Sequence, residues 1–181
     1  GQAVVRHLIH HNPFSRVFGL GRRPPKVLGP VRFLPVDPRS DELTDLLVVN
    51  DVQVVLHLAY ALSTDGAKAE LAVAQRLMEV GALASTERVV FASCDRVYAR
   101  SDGLCMERAP CRKAAGAPDE VAGKAAVEAE LRGCSSSGPT PVVIRTANII
   151  GPTAGAPLDA LLSLPFLIAP RGQDPLVQFL H

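Results

Sequence analysis

A chain of 181 residues with 48% hydrophobic residues is long enough for one domain with a sizeable core, because a polypeptide of this size buries roughly 70% of the surface that its unfolded form exposes. Nineteen basic against eighteen acidic residues leave a formal net charge of +1, which gives no basis for a nucleic-acid partner or a charged membrane surface. No apolar run approaches the ~20 residues of a bilayer span, and residues 1–11 lack the basic start and apolar block of a secretory signal, so a cytoplasmic setting is expected.

Val4, Val5, Leu8 and Ile9 recur at helical spacing within Ala3 to His10, and Asn12-Pro13 stops the helix they predict. Phe14 to Leu20 and Val31 to Val36 are short aromatic or β-branched runs bounded by Gly and Pro, and each reads as a buried strand with loop between. Ser40 is the expected N-cap of a helix through Leu43, Leu46 and Leu47, with Asp41 and Glu42 in its first turn. Val52 to Ala59 is nearly continuous in apolar residues, as expected of a parallel strand covered on both faces. A helix over about Ala67 to Val80, a strand at Arg88 to Ser93, a helix at Glu120 to Leu131 and a strand at Pro141 to Ala147 follow, and a last helix is expected at Leu158 to Leu164. Alternation of this kind predicts one α/β domain over residues 1–181, built on a doubly wound, mostly parallel sheet with helices on both faces. Such a fold begins with a strand and a glycine-rich loop that delivers a pyrophosphate to the first helix, whereas only Gly1 precedes that helix here. The expectation is therefore of a fragment or truncated product without its first strand and phosphate loop, one that binds dinucleotides poorly by itself.

Cys94, Cys105, Cys111 and Cys134 form no C-x-x-C pair, so reduced thiols are expected and no zinc or redox motif. His7 and His11 stand four apart on the first helix, but no third ligand has suitable spacing, which leaves solvent-facing histidines and no metal.

Several short blocks carry a family resemblance in the right order. Residues 1 to 10, GQAVVRHLIH, are similar to the end of a glycine-rich loop and its helix, and His57-Leu58-Ala59-Tyr60 to an H-L-A-A strand end. Phe91-Ala92-Ser93-Cys94-Asp95-Arg96-Val97-Tyr98 is similar to an S-S-x-x-V-Y block, Asp119 to Glu128 to an active-site helix, and Ile144 to Pro152 to R-x-x-N-V-x-G-P. Together they resemble the extended short-chain dehydrogenases/reductases of the NAD-dependent epimerase/dehydratase type. The resemblance implies an NAD(P)-binding Rossmann-type domain whose substrate domain lies largely outside this chain, a dinucleotide cofactor, and a small-molecule substrate such as a sugar nucleotide. It leaves a homodimer open.

Two departures bear on chemistry. The family uses Tyr-x-x-x-Lys, in which the lysine lowers the tyrosine pKa and holds the ribose; Lys124 matches the lysine, but Glu120 stands at the tyrosine position. The serine that polarises the substrate oxygen aligns with Cys94, a weaker hydrogen-bond donor. The competing reading is structural: Glu120, Lys124 and Glu128 at successive turns also describe a solvated charge ladder, and Cys94 a small buried hydrophobe. Tyr98 is expected to pack rather than to serve as the acid. At the end of the second strand Arg22 and Arg23 stand where a carboxylate would favour NAD, which leans towards NADP, although a basic turn reads the same way. Asp37 matches a position that contacts adenine, or forms a turn before Pro38, and Gly1, Ala59 and Lys124 complete the expected cofactor contacts. An oxidoreductase of the epimerase/dehydratase type with impaired or altered catalysis is the first expectation. A non-catalytic nucleotide-binding or interaction module, or a gene fragment without independent function, is the alternative.

Overall fold

The computed structural model describes residues 2–11, 16–22, 24, 31–59, 66–99, 106–112, 119–134, 137–149, 163–166 and 179–180. Helix α1 covers Gln2–His11 and half-buries Val5, Leu8 and Ile9, the stripe that the 3.6-residue period predicts. Strands β1, Phe18–Gly21, and β2, Arg32–Pro35, pair in parallel with Phe18 opposite Arg32 and Gly21 opposite Pro35. β1 is shorter than expected: Arg16 and Val17 precede it outside the ladder, and residues 14 and 15 lie outside the described set.

Helix α2, Glu42–Val49, starts later than expected, with Asp41 in the N-cap position and no side-chain cap. Ser40 is otherwise engaged: its Oγ and its backbone N–H both donate to the Asp37 carbonyl, each at 2.9 Å. A hydroxyl closing that turn is not available to the helix end. Leu43 and Leu47, four apart, are fully buried and anchor the helix.

Strand β3 is Val54–His57, β4 is Arg88–Cys94 and β5 is Thr140–Thr146, and they form a parallel sheet in the order β3-β4-β5. Two helices connect them, α3 at Gly66–Leu83 and α4 at Asp119–Arg132. Burial in β4 alternates strictly, with Val89, Phe91 and Ser93 inward, and on that face Ala74, Leu77 and Val80 of α3 meet Val127 and Leu131 of α4. The core continues to Val36, Leu43 and Leu47. The expectation of coverage on both faces of Val52 to Ala59 is corrected here. Among the described residues, Val54 is 46% exposed, Leu58 39% and Ile144 51%, because the two long helices that connect these strands pack on the other side.

Gly123 sets the spacing of that helical layer. A Cβ at this position would lie 2.9 Å from the Ala67 Cα and 2.9 Å from a Glu70 carboxylate oxygen, so glycine is what lets α4 approach α3 this closely. Two short strands were not anticipated, β6 at Asn148–Ile149 and β7 at Phe179–Leu180, which pair in parallel. Of the helix expected at Leu158 to Leu164 only residues 163 and 164 are described, and they form a turn and a bend. All strand ladders among the described residues are parallel, as the α/β reading expects.

Candidate functional site

Parallel strands bring their carboxyl ends to one edge, where open α/β sheets bind ligands. At that edge β3 ends in His57 and β4 in Cys94. Lys124, half-buried on α4, donates from Nζ to the Ala92 carbonyl at 3.1 Å, which fixes the ammonium beside the end of β4. Burial pushes the Cys94 thiol pKa up, opposed by the Arg96 backbone N–H and by the Lys124 charge. Cys94 therefore stands near pH 7 as a neutral thiol, a weak donor and a poor nucleophile. His57 meets the Phe91 ring edge-on at 5.8 Å between centroids. Burial, and after it the Lys124 charge, hold its pKa below the ordinary imidazole value, so the ring is neutral near pH 7. A cavity of about 20 Å³ lies among His57, Ala59, Glu70, Ser93, Lys124 and Glu128.

One turn below Lys124, Glu128 is buried and binds four side chains. Ser93 Oγ donates to it at 2.6 Å, Arg145 Nε at 3.1 Å, Arg132 Nη2 at 3.2 Å and Cys111 Sγ at 3.6 Å, and Arg145 Nη2 makes a second charged contact. Burial works to raise the Glu128 pKa, but the hydrogen bonds from Arg145 and Ser93 and the Arg145 charge outweigh it and hold the carboxyl below its usual value. Arg145 also donates to the Glu107 carbonyl at 2.7 Å and lies 4.6 Å over the Tyr98 ring, so Tyr98 packs, as expected. Arg112 binds the Val97 and Tyr98 carbonyls through its backbone N–H and Nε, at 2.7 and 2.9 Å. Residues 106–112 are thereby tied against the turn that follows Cys94.

The structure thus brings Cys94, Lys124 and Ala59 to one strand edge, and it overturns the solvated-ladder reading of the helix, since Lys124 is half-buried and Glu128 buried. Glu120 has its backbone in α4, and its side chain lies outside the described residues. The sequence reading missed Ser93 and Glu128 as partners and placed His57 only in the H-L-A-A strand end. One signal was present: Arg145 sits inside a strand expected to be buried, and a buried guanidinium requires a carboxylate.

The expected cofactor contacts of the second strand lie at another edge, after β1 and β2. Asp37 accepts from Arg39 through Nε at 3.1 Å, Nη2 at 3.0 Å and the backbone N–H at 3.0 Å. These side-chain and backbone hydrogen bonds, with a smaller contribution from the Arg22 charge, hold the Asp37 pKa at about 2. Arg22 is exposed after β1, while Gly1 and Arg23 lie outside the described residues. A guanidinium and a carboxylate at the carboxyl ends of adjacent parallel strands are a donor and acceptor set that suits a ribose diol or its phosphate ester. His7 and His11 are exposed with rings stacked at 4.1 Å. Among the described residues no group of three or more His, Cys, Asp or Glu is placed to hold a metal ion, and no helix is long and apolar enough to cross a membrane.

A family model described as the NAD dependent epimerase/dehydratase family matches residues 1–164. A comparison with curated proteins gave no match. Among solved structures, MoeE5 in complex with UDP-glucuronic acid and NAD is 25% identical with a TM-score of 0.69, over 88% of this chain and 56% of that one. The UDP-glucose 4-epimerase of Thermus thermophilus, in complex with NAD, is 23% identical with a TM-score of 0.69, over 84% and 53%. The UDP-glucose 4-epimerase of Thermotoga maritima, with UDP-glucose, is 18% identical with a TM-score of 0.71, over 84% and 53%. The chain therefore spans about half the length of the proteins it resembles.

Proposed function

Because the chain belongs to the NAD-dependent epimerase/dehydratase family, we propose that it is the dinucleotide-binding part of an oxidoreductase acting on a sugar nucleotide, with an altered proton-handling group. The observation that carries this reading is Lys124, held by the Ala92 carbonyl beside Cys94 at the end of β4, in the place where a cation can meet the ribose of a bound cofactor. The cofactor, when bound, supplies the hydride chemistry. Lys124 orients it, Ala59 flanks it, and Arg22, Arg23 and Asp37 meet its other end. MoeE5 with its UDP-sugar and NAD supports both ligand classes. For this chain Arg22 and Arg23 favour a 2′-phosphate, hence NADP(H) over NAD(H). The free cysteines Cys94, Cys111 and Cys134 suit a reducing cytoplasm.

The second reading, a nucleotide-binding module without turnover, is favoured by a specific observation. Cys94 is a neutral thiol where the family has a serine hydroxyl, and position 120 holds a glutamate where the family has a tyrosine. Isothermal titration of the natural gene product containing this chain with NADH and NADPH, followed by UDP-glucose and UDP-glucuronic acid, separates the readings. Binding of NADPH roughly 10- to 100-fold tighter than NADH, a preference lost on Arg22→Ala with Arg23→Ala, is expected from one charge-assisted arginine–phosphate contact. Failure to bind either dinucleotide would remove both readings. Turnover that rises ~10²–10⁴-fold in Glu120→Tyr with Cys94→Ser, followed by NADPH absorbance, would show a catalytic framework lacking its acid. Binding with no turnover in either version would leave the binding module.

A further inference from the structure

α1 ends in a group of histidines that the proposed function does not use. His7 and His11, four apart and therefore neighbours on one helical face, are both exposed, while Val5, Leu8 and Ile9 are half-buried. Their rings stack with centroids 4.1 Å apart and planes 17° from parallel. His11 Nδ1 lies 3.0 Å from the His7 carbonyl oxygen. A carbonyl only accepts, so Nδ1 carries the hydrogen and donates it, which leaves the His11 Nε2 with a lone pair. A metal-binding imidazole is held in this way, its second nitrogen oriented by a backbone carbonyl or a carboxylate.

We propose that His7 and His11 form a two-histidine site for a borderline-soft divalent transition cation, with zinc as its ion and water in the remaining positions. Two zinc–nitrogen bonds of ~2.0–2.1 Å span up to about 4 Å, which is the separation of the stacked rings. The His7 ring has to turn out of the stack so that its lone pair, which lies in the ring plane, meets the ion; that torsion is broad and costs little. The site lies at the last turn of α1, where unpaired carbonyls and the negative end of the helix dipole favour a cation. α1 contains no Asp or Glu, so its side chains offer no carboxylate to calcium or magnesium. The sequence expectation of no metal rested on the want of a third protein ligand; on an exposed face, water fills that position. Once bound, the ion staples residues 7 and 11 together and stiffens the end of α1.

The test is isothermal titration of the natural gene product containing this chain, without a histidine tag, with zinc chloride, and with magnesium chloride as the comparison. Zinc is expected to bind at this site and magnesium to give no heat from it. His7→Gln and His11→Gln should each weaken zinc binding at least ~10-fold, the loss that even an outer partner of a metal ligand commonly causes. His10→Gln, outside the stack, should leave it unchanged. All three side chains are exposed, so these variants are expected to fold. Zinc affinity that survives both His7→Gln and His11→Gln would place the ion elsewhere, at the thiols for example, and overturn the proposal; so would a loss in His10→Gln equal to that in His11→Gln. With ¹³C-labelled histidine rings, the His7 and His11 signals should move together as zinc is added, and movement of one alone would refute the pair. No dinucleotide enters either measurement, so a failure here is distinct from a failure to bind cofactor.

Discussion

Asp37 with Arg39 and Glu128 with Arg145 are both carboxylate–guanidinium pairs with two-point geometry at strand ends, and burial gives them opposite meanings. In the first pair the side chains are 32% and 55% exposed; in the second, 3% and 15%. Water competes for the first, which as a surface pair is worth ~0–1 kcal/mol; its role is local, shaping the turn before α2. Water is excluded from the second, and removing one partner strands a buried charge at a cost of ~3–5 kcal/mol. The same chemistry is an exposed turn at one edge and a buried framework at the other.

The contrast breaks most visibly at Glu128. Glu128→Gln is expected to lower stability by ~3–5 kcal/mol in urea unfolding, and a loss under about 1 kcal/mol would show that water reaches the Arg145 side of the pair. Gly123→Ala comes next, at ~1–3 kcal/mol, because the new methyl meets backbone at Ala67 and α3 must shift away from α4. The propensity gain of alanine in a helix, ~1 kcal/mol, offsets part of this, so an unchanged midpoint would mean that the helices part freely.

Acid sharpens the comparison further. Both carboxyls have folded pKa values below their ordinary values, 4.5 for Glu128 and 3.8 for Asp37. The stability each contributes is therefore present above those values and is lost as pH falls through the folded ones, down to about 2 for Asp37. Glu128→Gln should flatten the acid limb of a stability-against-pH curve, while Asp37→Asn should leave its shape nearly intact. The smallest effect is that of Asp37→Asn at neutral pH, ~0–1 kcal/mol, read as a shift in thermal midpoint. A larger loss would make that turn a structural element.

Strand and helix order was legible because it follows from periods of 2 and 3.6 that survive without tertiary knowledge: α4 and β5 were expected within a residue of their observed ends. Ser40 was misread because the Asp37 carbonyl, three residues earlier, competes for the same hydroxyl. Cys94, Lys124 and Ala59 were nominated from blocks of contiguous sequence, at the end of β4, within α4 and just after β3. Glu128 was not, because Ser93 is 35 and Arg145 is 17 positions away, and a helical charge ladder reads alike whether it faces water or a strand. β6 and β7, two residues each, are too short to carry a period.

The sheet register also orders events in time. β1 meets β2 through Phe18 and Arg32, 32 − 18 = 14 positions apart, whereas β4 meets β5 through Arg88 and Thr140, 140 − 88 = 52 apart. Closing the longer loop costs ~1 kcal/mol more in chain entropy, and the carboxylate that compensates Arg145 can be buried only after α4 has docked over both strands. Refolding should therefore complete the β1–β2 pair early and the β4–β5 ladder late. During that interval β4 is an apolar parallel strand with an unsatisfied edge, so aggregation on refolding at high protein concentration is expected to begin there.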